Sequence, residues 1–249
     1  MPLFPLICSF FIAAALRIVV MLSVFNLTFF PIQKYDGYIY ILKALEITQG
    51  NWLPIHTHAI GLPIFLAPFL YLWGAHSIFE NFLIGIIVNA IIGAAIVLPL
   101  AWLAYRLTRS TTATIGTIIM FACGFPLIIS ESILILTEPL FTFLFLTSLC
   151  FLYKAKEKPF FACAASAIAV VAYIVRPNGI IILPILIVSY LLVSKEYFSR
   201  KIIIVALMAI AFFGSAGPML YMRHTTFGSA FDYGENSKYF VDRYVDVWG

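Results

Sequence analysis

Long apolar runs broken by short polar loops organise this chain. Hydrophobic stretches predict helices near residues 5–30, 82–105, 112–129, 139–153, 159–175, 179–194 and 202–222. The runs are continuous rather than alternating, which argues against a β-barrel. Lipid offers backbone N–H and C=O groups no partner, so each run is expected to close its own hydrogen bonds as a helix. The first run is too long for a secretory leader, and no small-x-small cleavage site follows it, so it is read as a retained span. Gly61–Gly74 (GLPIFLAPFLYLWG) is different. It is apolar, but it has only 14 residues and contains Pro63 and Pro68, whereas a spanning helix needs about 20 residues.

Charge distribution decides how that segment is placed. Arg106, Arg109, Lys154, Lys156, Lys158, Lys195, Arg200 and Lys201 hold eight of the 15 basic residues, in three short loops. The three loops share one side only if 61–74 does not cross, and the positive-inside rule makes that side the cytoplasmic one. Only Glu157 and Glu196 share it. The expectation is an all-α polytopic membrane protein with about seven spans over residues 1–222. The first outer loop, 31–81, carries interfacial helices, and the N-terminus is inside. The amphipathic stretch after Tyr40 belongs to that loop. A polar, aromatic outer segment, 223–249, is expected to lead into a further part of a longer protein.

Composition agrees with this picture. Hydrophobic residues make up 63% and charged residues 10%, and the mean hydropathy of +1.05 excludes an ordinary soluble domain. Cys8, Cys123, Cys150 and Cys163 all lie in apolar runs without a CxxC pair, so they read as small buried hydrophobes. The bilayer is an expected partner and nucleic acid is not.

Few ionisable residues remain to carry chemistry. Asp36 follows span one in Tyr35-Asp-Gly-Tyr-Ile-Tyr40. It can take a proton from a hydroxyl if it faces a cleft, or it can be a solvated loop acid. Glu138 precedes Pro139 and suits a helix N-terminus, yet the apolar ILIL before it puts it near the membrane boundary, where ionisable groups face cavities. Glu131 reads as a loop acid. Arg176, before Pro-Asn-Gly, can grip a phosphate with forked donors or snorkel at a helix end. Arg17 lies inside span one, to pair with an acid or line a polar cavity. His56 and His58 precede Gly61. Two ligands make a poor metal site, so phosphate contact or plain loop positions are the other readings.

The acids after span one and between spans three and four, with the arginine between spans five and six, come in a particular order. The pieces are Arg17, Asp36-x-x-x-Tyr40 with Ala44 and Gly50, Gly61-Leu-Pro63 with Pro68 and Trp73-Gly74, Thr137-Glu-Pro-Leu-Phe141, and Arg176-Pro-Asn-Gly179. Over about residues 10–185 this order resembles the GT-C glycosyltransferases, in particular the dolichyl-phosphate-mannose protein mannosyltransferases and aminoarabinose lipid A transferases. The resemblance implies sugar transfer from a polyprenyl-phosphate donor to a protein, lipid or glycan acceptor at the outer face of the membrane. A prokaryotic plasma membrane is favoured over the endoplasmic reticulum. It implies Asp36 as general base, Glu138 as the second acid that orients substrate, and Arg176 as a phosphate contact. Tyr40, Arg17, Glu131, His56 and His58 would bind substrate around them. No cofactor is required, and a divalent metal is left open. Leu62 stands where relatives often carry lysine, and Gly37 where many carry a second acid. Two other readings stay open: a transporter or flippase using Asp36, Glu138 and Arg17, and a non-catalytic remnant of the family.

Overall fold

The computed structural model describes residues 3–32, 36–52, 59–74, 77–124, 134–194 and 196–228. Among the described residues all regular structure is helical. The elements are α1 (Leu3–Ile32), α2 (Asp36–Thr48), α3 (Gly61–Trp73), α4 (Ile78–Ala95), α5 (Val97–Thr108) and α6 (Thr111–Ala122). There follow α7 (Thr137–Lys154), α8 (Phe160–Val175), a 3-10 turn (Pro177–Ile181), α9 (Ile182–Val193) and α10 (Phe198–Phe227). Among the described residues three stretches are long and apolar enough to cross a membrane: Leu6–Ser23, Ile78–Thr108 and Phe198–Thr226. The chain is on that ground a helical membrane protein. Gly61–Trp73, Thr111–Ala122, Phe160–Val175 and Pro177–Leu192 are apolar but shorter.

Every predicted run contains helix, and the boundaries differ for local reasons. The run at 82–105 becomes α4 and α5, joined through Ile96. Pro99 has no N–H to offer the Ala95 carbonyl, which marks the step. Ile96 N–H still bonds to Ile92 O and Leu100 N–H to Ile96 O, both at 3.2 Å, so the rod continues. In the run expected over 112–129, α6 ends at Ala122, where Cys123 leaves helical geometry (φ −101°, ψ 2°) ahead of Gly124. Residues 125–129 of that run lie outside the described residues. At the other end of the chain, α10 continues past Met222 to Phe227. It stops where Gly228 takes φ 77° and bonds its N–H to His224 O at 2.9 Å. A left-handed glycine ends a helix more sharply than a change in hydropathy does. The first residues of the presumed outer segment are thus helical.

Caps and close contacts set the arrangement. Ser77 and Glu80 form a reciprocal capping box at the start of α4, and Ser110 caps α6. One apolar core joins α2, α3 and α4 to Val175 and Met219. A second joins α7, α8, α9 and α10. A third, rich in alanine, joins α1, α5 and α6. The first core lies under the predicted site.

Candidate active site

Asp36 and Tyr40 share one face of α2, because positions four apart in a helix are neighbours. Asp36 is exposed at the first helical position, whereas Tyr40 is 6% exposed. Leu136 is extended (φ −124°, ψ 153°), and α7 starts from it with Thr137 and Glu138. Buried Thr137 donates its hydroxyl to Glu138 Oε2 at 3.3 Å and is also hydrogen-bonded to the Tyr40 phenol. Arg176 is extended between α8 and the 3-10 turn (φ −150°, ψ 125°). Its Nη1 lies 2.7 Å from Glu138 Oε1.

Two glycines make room for Arg176. A Cβ on Gly61 would sit 2.5 Å from Val175 N, so the start of α3 rests directly on the last turn of α8. A Cβ on Gly179 would sit 2.7 Å from Tyr173 Cα, so the 3-10 turn folds back onto the same stretch. Neither approach tolerates a side chain. Between them the backbone of Arg176 is held, with its N–H bonded to Ala172 O (2.9 Å) and its carbonyl accepting from Gly179 N–H (2.8 Å).

A further anchor lies beneath Glu138. Asn89, fully buried in α4, donates Nδ2 to Leu134 O at 2.8 Å and ties the segment before α7 to the bundle. Asn81, Gly85 and Asn89 recur every fourth residue, a small and polar stripe inside an apolar run. That stripe was the available signal for Asn89, and hydropathy alone passes over it. At the far end of α2, buried Lys43 pairs with Glu46 at 2.7 Å, and Asn51 Nδ2 donates to the same carboxylate oxygen at 3.2 Å.

The charges converge on Tyr40. Burial raises its phenol above the ordinary range, and negative charge on Asp36 and then Glu138 raises it further. The Thr137 hydrogen bond and the Arg176 charge act the other way. Tyr40 is therefore a neutral phenol at any physiological pH. The Glu138–Arg176 pair is open, with side chains 52% and 36% exposed respectively. An ion pair so exposed stabilises a fold by only about 0–1 kcal/mol.

No family model, curated protein or solved structure matches the chain. The resemblance to the GT-C glycosyltransferases therefore rests on the ordered residues named above. Four of the predicted positions, Asp36, Tyr40, Glu138 and Arg176, act on one another in space.

The remaining predicted positions fall elsewhere. Arg17 is fully buried on α1, donates Nη1 to Ala13 O at 3.2 Å, and has its guanidinium 5.6 Å from the Phe121 ring centroid. That places it against α6. His56, His58 and Glu131 lie outside the described residues. Among the described residues no group of three or more His, Cys, Asp or Glu side chains could hold a metal ion. What the cluster offers is an exposed carboxylate on α2, a neutral phenol beside it, and an arginine whose present partner is another accessible carboxylate.

Proposed function

We propose that the chain is a membrane glycosyltransferase that moves a hexose or pentose from a polyprenyl-phosphate donor to a protein, lipid or glycan acceptor. The observation that carries this reading is the 2.7 Å Glu138–Arg176 pair beside Tyr40 and Asp36. Three separated motifs contribute two carboxylates and a guanidinium to one cluster.

In this mechanism the acceptor hydroxyl attacks the anomeric carbon as Asp36 takes its proton. The bond from that carbon to the phosphate oxygen breaks on the opposite face of the sugar, which inverts the anomeric centre. The leaving polyprenyl phosphate gains negative charge, and the forked donors of Arg176 stabilise it. A phosphate is a fair leaving group, so no general acid is required. Glu138 holds Arg176 extended when the site is empty and orients sugar hydroxyls when it is full. Tyr40, neutral throughout, donates to substrate or to Asp36.

The topology that suits this chemistry has seven crossings. In it α1, α4–α5, α6, α7, α8, α9 and α10 span the bilayer, with the N-terminus inside and the site outside. In this arrangement α2 and α3 lie at the outer interface. One feature supports that place for α3: its end is openly apolar, with Tyr71, Leu72 and Trp73 exposed by 72%, 80% and 73%, as an aromatic anchor at a lipid headgroup would be.

The test is transfer from a panel of polyprenyl-phosphate sugars by membranes carrying the full gene, with the product's anomeric configuration read by NMR. Inversion from at least one donor is expected. Retention, or no transfer from any donor, would contradict the proposal.

A further inference from the structure

Glu138 and Lys154 stand at opposite ends of α7, and the Lys154 end carries a second arrangement that the proposed reaction does not use. The ends of α5 and α7 meet there. Trp102 and Tyr153 pack edge to face at 5.7 Å, and Tyr153 Oη donates to Arg106 O at 3.4 Å. Two cations share the one indole: Arg106 Cζ lies 5.2 Å and Lys154 Nζ 5.7 Å from its centroid. Lys154 also lies 5.7 Å from the Phe161 ring, and Lys156 Nζ lies 4.3 Å from the Tyr153 ring.

Aromatic faces hold these cations in place, and carboxylates do not neutralise them. Among the described residues none of Arg106, Arg109, Lys154, Lys156 and Lys158 is in an ion pair, and neither is Glu157, the one acid in these two loops. Like charges gathered on one platform repel each other unless an anion joins them. Exposed apolar side chains flank the platform, with Leu107 at 70% and Phe160 at 74%. The ligand must therefore combine negative charge with hydrocarbon.

We propose that the Trp102 platform binds the phosphodiester headgroup of an anionic phospholipid. Arg106 and Lys154 grip the phosphate, and the acyl chains run along Leu107 and Phe160. Basic recesses between spanning helices recognise anionic headgroups by this chemistry, and tryptophan gives the strongest cation–π face. The inference is independent of the proposed sugar transfer.

The test is native mass spectrometry of the full chain released from bilayers of equal phosphatidylglycerol and phosphatidylcholine. Wild type is expected to retain one phosphatidylglycerol with about tenfold preference. Arg106→Gln with Lys154→Gln should abolish the preference, and Arg106→Gln alone should reduce it. Arg200→Gln with Lys201→Gln, in the other basic loop, should leave it intact. A preference that survives loss of Arg106 and Lys154, or that falls equally in the Arg200/Lys201 control, would overturn the proposal. So would displacement of the lipid by soluble glycerol phosphate at millimolar concentration, which would point to a free phosphate as the ligand.

Discussion

Gly61 lies against the backbone of Val175 so closely that a Cβ would meet the Val175 nitrogen at 2.5 Å. The start of α3 thus sets where α8 ends, and with it the position of Arg176. Gly61→Ala must push the two helices apart, and overpacking of this kind costs about 1–3 kcal/mol. Thermal unfolding in detergent should show that loss. Gly116→Ala is the control: nothing lies within 4 Å of its Cβ position. It should be neutral, or stabilising by up to about 1 kcal/mol because alanine favours helix. Equal Tm values for the two variants would contradict the close-contact argument.

The Glu138–Arg176 pair should matter to activity far more than to stability. Glu138→Gln and Arg176→Gln should each change stability by less than about 1 kcal/mol, as expected for an exposed pair. Each should lower sugar transfer by about 10²-fold or more if the groups contact the reacting substrate. Arg176→Lys should not restore the rate, because a lysine lacks the planar fork. The check is to measure Tm and initial rates on the same preparations. A large drop in Tm with transfer intact would make the pair structural.

Tyr40 should give the protein an alkaline weakness. Its folded-state pKa is raised above the ordinary 10.0, chiefly by burial. The folded protein therefore keeps a proton that the unfolded chain releases above that value. The stabilisation is complete below pH 10 and is lost as pH rises toward the folded-state value. Tyr40→Phe should lose less stability than wild type above pH 10, and it should be about 1 kcal/mol less stable at pH 7 through the lost Thr137 bond. Parallel melting curves from pH 8 to pH 11 check this. Identical slopes for the two proteins would contradict it.

Asn89 should position Glu138 from below. Asn89→Leu leaves the Leu134 carbonyl without its donor, a loss of about 1–3 kcal/mol for a buried group. It also frees the segment that leads into α7. Transfer should fall with a rise in KM for the donor, and Asn89→Gln should recover part of it. A variant that loses stability but keeps the wild-type KM would reduce Asn89 to a packing role.

How much of this was legible in the sequence depends on the scale of the feature. Hydropathy reveals the helices, because a 3.6-residue rod in lipid needs only an apolar run. It cannot reveal where they stop. The end of α10 is decided by the positive φ of Gly228 and the end of α6 by the backbone at Cys123, both local events that hydropathy does not register. The members of the candidate cluster were legible because Asp36, Glu138 and Arg176 are scarce charges in an apolar chain; the same reasoning did not place Arg17, which is buried against α6. The partners of Thr137 and Asn89 were not legible, since a neutral polar residue in a helix declares its partner only once the chain is folded. The tight seats at Gly61 and Gly179 are likewise contacts between segments, invisible from either segment alone.

The account turns on Asp36 as the base. The measurement that tests it most directly is sugar transfer from the donor panel by wild type and Asp36→Asn at matched expression. The account predicts that the substitution lowers transfer by about 10²–10⁴-fold, the usual share of general base catalysis, with Tm little changed for so exposed a side chain. Transfer by Asp36→Asn at the wild-type rate would contradict it.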